Sequence, residues 1–184
     1  MSLWLWTFWT YSFLGYLLER GYAIATHADR QARKCFLLLP MCPVYGLGAL
    51  AVLALPESLS GSFWSLALWG GLAATAVEYA VHVLYDRLLG VRFWDYSQVR
   101  WNLRGRICLP FSLAWGALAL GLVYGVDPVV RPLLEGVPAL VTGWAAATVG
   151  TDLVLSAALL RRTGDRACLR WNFNTAGPPP PPCR

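Results

Sequence analysis

The chain has 184 residues, of which 57% are hydrophobic and 14% are charged, and its mean hydropathy is +0.49. This composition provides too little polar surface to coat a soluble globule, which excludes an ordinary soluble domain. The net charge of +5 lies mostly in loops, where membrane topology and anionic lipid account for it, so we expect no nucleic-acid partner.

Five apolar segments approach the roughly 20 residues that a membrane-spanning helix needs. In chain order they cover about 3–26, 36–56, 62–84, 107–126 and 138–160. Together they predict a transmembrane domain over 1–163, embedded among membrane lipids. The remaining 164–184 form a cytoplasmic tail whose run Pro178–Pro182 cannot donate backbone hydrogen bonds, so we expect disorder there. The predicted fold class is an all-α integral membrane protein with five spans.

Basic residues predict how these spans are oriented. Lys and Arg cluster after the first span, after the third span and in the tail, whereas the segment after the fourth span has only Arg131. Because cytoplasmic loops carry the excess of Lys and Arg, we predict an outside N-terminus and an inside C-terminus. All five cysteines then lie at or near the cytoplasmic side, where thiols stay reduced, so we expect no disulfide, no structural metal and no cofactor.

Two stretches of the chain resemble each other. Residues 39–50 (LPMCPVYGLGAL) and 109–120 (LPFSLAWGALAL) are identical at five of twelve positions, and each follows a helix with a single glutamate, Glu19 or Glu78. This pattern favours a parallel internal repeat in which spans 1–2 and spans 3–4 are copies of one hairpin. The alternative is chance similarity, because Leu, Ala and Gly dominate membrane helices.

Ionisable side chains inside hydrocarbon are costly and mark candidate functional sites. Glu19, Glu78 and Asp152 all fall in the cytoplasmic half of their predicted spans. We therefore predict a polar layer that binds a cation or a cationic solute, or exchanges protons, with Arg106 and Asp95 as gate or counter-charge. The candidate binding residues are Glu19, Glu78, Arg106, Tyr45, Cys42, Asp95, Asn102 and Ser112.

Other interpretations of this layer stay open. Either glutamate could pair with Arg106 or Lys34 and simply lock the helices together. Cys42 or Cys108 could serve a membrane-embedded enzyme acting on a lipid or amphiphile from the inner leaflet, although no Walker A, H-E-x-x-H or G-x-S-x-G motif supports catalysis. The 86–106 loop, which we expect to fold back along the inner membrane face, could make the protein a scaffold for a cytoplasmic partner.

Several motifs together resemble one bacterial membrane family. They are FWTYSFLGY at 8–16, CPVYG at 42–46, EY at 78–79, WDYS at 94–97, and Asn102 with GRICL at 105–109. Over roughly residues 6–125 they resemble the family named Putative ABC-transporter type IV, or ABC transporter permease. The resemblance implies a multi-pass inner-membrane protein that moves a small molecule or ion, or binds it, with a separate ATPase subunit. Five helices enclose little volume, which favours a homodimer. The chain departs from the family pattern at Lys34, Cys35 and Leu39, where Arg, Gly and Gly are expected.

Overall fold

The computed structural model describes residues 2–26 and 35–169, except the side chain of Ala167. The described chain is almost entirely helical. Its α-helices are α1 (Ser2–Ala25), α2 (Pro43–Leu53), α3 (Glu57–Ser60), α4 (Phe63–Leu89), α5 (Leu109–Gly121), α6 (Asp127–Glu135) and α7 (Ala139–Thr163). A π-helical turn (Leu122–Val126), a 3₁₀ turn (Arg166–Leu169) and two short strands, β1 (Asn102–Leu103) and β2 (Ile107–Cys108), complete it.

Three described helices are long and apolar enough to cross a bilayer. They are α4, the continuous Leu109–Glu135 helix and α7. This confirms an all-α fold of the membrane type. The first predicted span is a helix of 24 residues and the second contains a helix of only 11, so the count of five spans and the orientation stay predictions. The tail beyond 169 lies outside the described residues.

The predicted second span begins its helix later than expected. Residues 35–42 are extended and bent, and α2 starts at Pro43 rather than near residue 36. Proline lacks a backbone N–H, which a helix does not need in its first turn, so Pro43 starts the helix instead of kinking it.

This bent entry also explains a wrong expectation about the cysteines. In a continuous helix, Cys35 and Cys42 would lie about 10 Å apart along the axis. In the bent segment their Cα atoms are 4.5 Å apart, and a disulfide joins them. A separation of this size is within the normal range for disulfides. The expectation of no disulfide was therefore wrong because it assumed a helix there.

The fourth span also continues further than its predicted end at residue 126. The π turn leads directly into α6, so the helix runs on to Glu135. The turn lies just before Pro128, whose ring would clash with the carbonyl four residues back in a regular α-helix. A wider local turn removes that conflict and lets the helix continue where a loop was expected.

The four helices α1, α2, α4 and α5 pack in that order, with α2 between α1 and α4. Helix α7 lies against this group: the Trp6 indole donates to the Thr142 hydroxyl at 2.9 Å. The main buried cluster includes Leu37, Tyr85, Phe93 and Trp94. These four residues come from the entry to α2, the end of α4 and the 90–108 loop, so both loops fold back onto the ends of the helices.

The α1–α2 and α4–α5 pairs pack in the same register. A Cβ at Gly46 would overlap the carbonyl oxygen of Phe8, and a Cβ at Gly116 would lie 2.7 Å from the carbonyl oxygen of Ala67. Gly46 and Gly116 hold the same position in the two similar stretches, and Phe8 and Ala67 each lie eleven residues before the glutamate of their helix. Equivalent residues thus make equivalent backbone contacts, as an internal repeat requires.

Candidate functional site

Glu78 is the more buried of the two candidate glutamates, with 4% of its surface exposed. It lies on α4 and receives hydrogen bonds on both carboxylate oxygens. The Tyr96 hydroxyl donates to Oε1 at 3.0 Å, and the Trp115 indole donates to Oε2 at 3.0 Å. The loop and α5 thus each supply a donor to this one carboxylate.

Glu19 lies on α1 and is half-buried. Its Oε1 accepts a hydrogen bond of 2.7 Å from the Tyr45 hydroxyl. Tyr45 and Trp115 occupy the same position in the two similar stretches, and their ring centroids are 5.0 Å apart. Gly15 permits this arrangement, because any side chain there would overlap the Tyr45 ring. Both carboxylates are therefore held by one pair of touching aromatic rings.

Tyr96 anchors the 90–108 loop to this layer. Its ring stacks on Phe111 with a centroid distance of 4.9 Å, and its backbone N–H donates to the Gly105 carbonyl at 2.8 Å. Burial, followed by the charge of Glu78, raises the pKa of the Tyr96 hydroxyl well above its usual range. The hydroxyl consequently stays protonated and keeps donating to Glu78 at any physiological pH.

Arg106 lies elsewhere. Its guanidinium is 3.3 Å from Asp86 and 3.2 Å from the Tyr79 hydroxyl, and it covers the Tyr79 ring at 5.5 Å. Within the described ranges, its ion pair is with Asp86 rather than with either glutamate. These contacts do not place Arg106 against either glutamate, and its role as gate or counter-charge stays a prediction.

Asp95 and Asn102 shape the loop. Asp95 accepts a hydrogen bond of 2.8 Å from the Ser97 N–H, which lowers the pKa of its carboxyl. Asn102 donates to the Val99 carbonyl at 2.8 Å and accepts from the Gly105 N–H at 2.9 Å. Gly105 has a φ of +69°, which suits glycine. These residues build the turn that carries Tyr96 into the site.

Cys42 and Ser112 lie at the starts of α2 and α5. Cys42 is the residue before α2, is 1% exposed and is tied to Cys35, so its sulfur is not a thiol nucleophile in this state. Ser112 lies in the first turn of α5, and its carbonyl faces Gly71 across the helix contact. Among residues 2–26 and 35–169, no three His, Cys, Asp or Glu side chains are placed to hold a metal ion.

Asp152, whose role the sequence left open, holds the entry to α2. Its two carboxylate oxygens accept the backbone N–H groups of Leu38 at 3.2 Å and Leu39 at 3.1 Å, and the Ser156 hydroxyl also donates to it. Leu38 and Leu39 are more than 110 residues away in the chain, so no local sequence pattern indicates these two contacts.

Sequence reasoning missed a third buried carboxylate, Asp127. It accepts a hydrogen bond of 2.9 Å from the Tyr11 hydroxyl and forms an ion pair of 2.9 Å with Arg131. The predicted fourth span ends at residue 126, so Asp127 fell in the following loop and was not considered as a site residue. The tyrosine on α1 was the available signal, since a buried hydroxyl normally has a polar partner.

An apolar groove of about 230 Å³ runs between α1, α2, α4 and α5. Among the described residues that line it, the polar side chains are Tyr11, Tyr45 and Trp115. Each of the three donates its proton to a carboxylate outside the lining, namely Asp127, Glu19 and Glu78 respectively. The aromatic rings thus separate an apolar space from three acidic side chains.

Comparison with known proteins agrees with the motifs. The profile of the family described as Putative ABC-transporter type IV matches residues 6–157, which include almost all of the described helices and every residue of the glutamate layer. No curated protein and no solved structure matches the chain. With its apolar helices and a match over most of its length, this transport-related membrane protein belongs to the Putative ABC-transporter type IV family.

Proposed function

We propose that the layer around Glu19 and Glu78 is the solute-binding site of a bacterial inner-membrane transport component, and that its solute carries a positive charge. The family description supports a role in transport. Because the sequence has no Walker A motif, a cycle driven by ATP would need a separate ATPase subunit. The few helices in one chain favour a homodimer.

One observation carries the proposal. Two carboxylate–aromatic pairs, Glu19–Tyr45 and Glu78–Trp115, occupy equivalent positions in the two helical hairpins and touch through their rings. A carboxylate offers about four acceptor positions, and aromatic faces attract cations within about 6 Å of the ring centre. This combination of groups suits an ammonium-type cation.

Burial of the acid supports a functional role over a purely structural one. Transfer of an ionised side chain into the membrane costs about 2.5 kcal/mol or more. An acid retained there therefore needs a function or a partner. The structural alternative through Arg106 loses support, since that guanidinium contacts Asp86. Lys34, the other proposed partner, lies outside the described residues.

Equilibrium binding of radiolabelled tetramethylammonium to the protein in lipid nanodiscs tests the proposal. Both a permease and a substrate-binding subunit must bind their solute. Glu78→Gln and Glu19→Gln should each weaken binding at least about 10-fold, the loss of roughly 1.4 kcal/mol. Glu57→Gln is the matched control, because Glu57 is exposed on α3, and it should bind as the wild type does. Wild-type affinity in both site variants would contradict the proposal.

Thermal stability separates binding from folding at Glu78. In Glu78→Gln the amide oxygen can accept from the Trp115 indole N–H, and the amide NH₂ can donate to the Tyr96 hydroxyl oxygen, so both hydrogen bonds can form. The variant should therefore melt close to the wild type. Binding should still be weak, because the charge is missing. Wild-type binding in a variant that melts much lower would show that Glu78 acts only structurally.

A further inference from the structure

We infer that the solute is an amphiphilic organic cation, whose charged head lies at the Tyr45–Trp115 pair and whose apolar body fills the groove between α1, α2, α4 and α5. This inference rests on the proposed function and adds the class of solute to it. The groove, the hydrogen bonds of its lining and the aromatic pair each contribute one step.

The groove lining favours an apolar body. Apart from the three aromatic donors, it consists of aliphatic side chains and glycines, such as Leu14, Ala49 and Leu122. An engineered apolar cavity of about 150 Å³ is large enough to bind benzene, as known from T4 lysozyme. A groove of about 230 Å³ therefore has room for one aromatic ring with a short alkyl chain.

The hydrogen bonds of the lining disfavour an anion. Tyr11, Tyr45 and Trp115 are the lining side chains that could donate to an anionic group, and all three already donate to carboxylates. A bound anion would find no uncommitted donor among them and would lie close to acidic side chains. A cation would instead meet the faces of the aromatic rings, which attract it.

The two ends of the groove differ in their aromatic rings, which sets the direction of the solute. At one end, the rings of Tyr45 and Trp115 lie 5.0 Å apart and can both contact one cation. At the Tyr11 end, the groove lining among the described residues offers one aromatic ring. The charged head is therefore expected at the aromatic pair. From Trp115 to Val126 the lining helix rises roughly 16 Å, which leaves length for the body.

Binding of matched probes in nanodiscs tests the inference. The probe is radiolabelled phenethyltrimethylammonium, compared with tetramethylammonium as the head alone and with 3,3-dimethylbutylbenzene as its uncharged isostere. We expect phenethyltrimethylammonium to bind at least about 10-fold more tightly than tetramethylammonium, because the groove buries its ring. The isostere should compete at least about 10-fold more weakly than the cation.

A variant that fills the groove provides the matched structural test. Gly121 lines the groove and has nothing within 4 Å of an added Cβ, so Gly121→Leu should fill the space without a backbone clash. It should reduce phenethyltrimethylammonium binding to the level of tetramethylammonium and leave tetramethylammonium binding unchanged. Gly143→Leu on α7, which also has open space at its Cβ, is the control for folding and should change neither.

The outcomes distinguish this inference from the function on which it rests. Equal affinity for the two ammonium probes, or an unaffected phenethyl probe in Gly121→Leu, would overturn the inference and leave the cation site intact. Competition by the isostere as strong as by the cation would show a lipid-like groove and also overturn it. Absence of glutamate-dependent binding for both cations would overturn the proposed function as well.

Discussion

The two helical hairpins make the same contacts but bury them to different depths. In α1–α2, Gly46 packs on the backbone of α1 and Glu19 is half-buried against Tyr45. In α4–α5, Gly116 packs on α4 in the same way, but Glu78 is 4% exposed and receives a second donor from the 90–108 loop. Among the described residues, the difference lies in the 90–108 loop, which adds Tyr96 to the second hairpin. We infer that the second carboxylate is fixed and the first is accessible.

The largest effects should come from the glycines that set the shared register. Gly46→Ala and Gly116→Ala each place a methyl group against a backbone carbonyl that cannot move without displacing a helix. We expect each to lower the free energy of unfolding by about 3 kcal/mol, the upper range for overpacking. Gly150→Ala on α7 has open space and should be neutral or slightly stabilising. Thermal melting in detergent measures the relative stability of the three variants. Tolerance of only one of the two glycine variants would break the equivalence of the hairpins.

Asp152→Ala should selectively damage the entry to the first hairpin. It removes one acceptor from the Leu39 N–H and one from the Leu38 N–H, which keeps the Ser156 hydroxyl at 3.0 Å, so the loss should be about 2 kcal/mol. Hydrogen exchange should rise in 35–42 and at the start of α2 but not in the 90–108 loop. Glu135→Ala, at an exposed position, is the control. Uniform protection in Asp152→Ala would show that another contact holds this segment.

Gly105→Ala should damage the entry to the second hairpin. Its φ of +69° disfavours alanine by about 1–2 kcal/mol, and the new methyl would lie 2.6 Å from Asp95 Oδ1. Gly90→Ala measures the backbone cost alone, because Gly90 has a φ of +66° and nothing within 4 Å of an added Cβ. Melting temperatures of the two variants should therefore differ, with Gly105→Ala lower. Equal values would mean that the Asp95 contact contributes nothing.

The smallest effect should be at the accessible carboxylate. Tyr45→Phe removes one donor from half-buried Glu19, where water can replace it, so we expect a loss of about 0.5–1 kcal/mol. Tyr96→Phe removes a donor from Glu78, which water does not reach, and should cost about 2 kcal/mol. Chemical unfolding of both variants measures the two losses in the free energy of unfolding. A larger loss for Tyr45→Phe would reverse the assignment of fixed and accessible sites.

The sequence was informative where a residue has an energetic cost of its own. An acid in an apolar helix is costly wherever it points, so Glu19 and Glu78 stood out, and the structure places both against aromatic donors. The all-α fold was predicted from composition and the spacing of apolar segments, and the family from the resemblance of the motifs. Trp115 and Tyr96 were not singled out, because aromatic residues in such a chain are also expected as interfacial anchors.

Long-range and conformational features could not be predicted in this way. The pairing of Arg106 with Asp86 depends on how the 90–108 loop folds back, and the contacts of Asp152 depend on an entry segment that was assumed to be helical. The disulfide between Cys35 and Cys42 follows from that same bend. In each case the missing information was the path of a loop, which hydrophobic periodicity does not encode.

The number of cations bound per chain tests most directly whether the two glutamates form one site. If Glu19 and Glu78 act together across the Tyr45–Trp115 contact, the protein should bind one tetramethylammonium per chain, and each glutamine variant should still bind one, more weakly. Two bound cations per chain, with each variant retaining one at unchanged affinity, would show two separate sites and contradict the account.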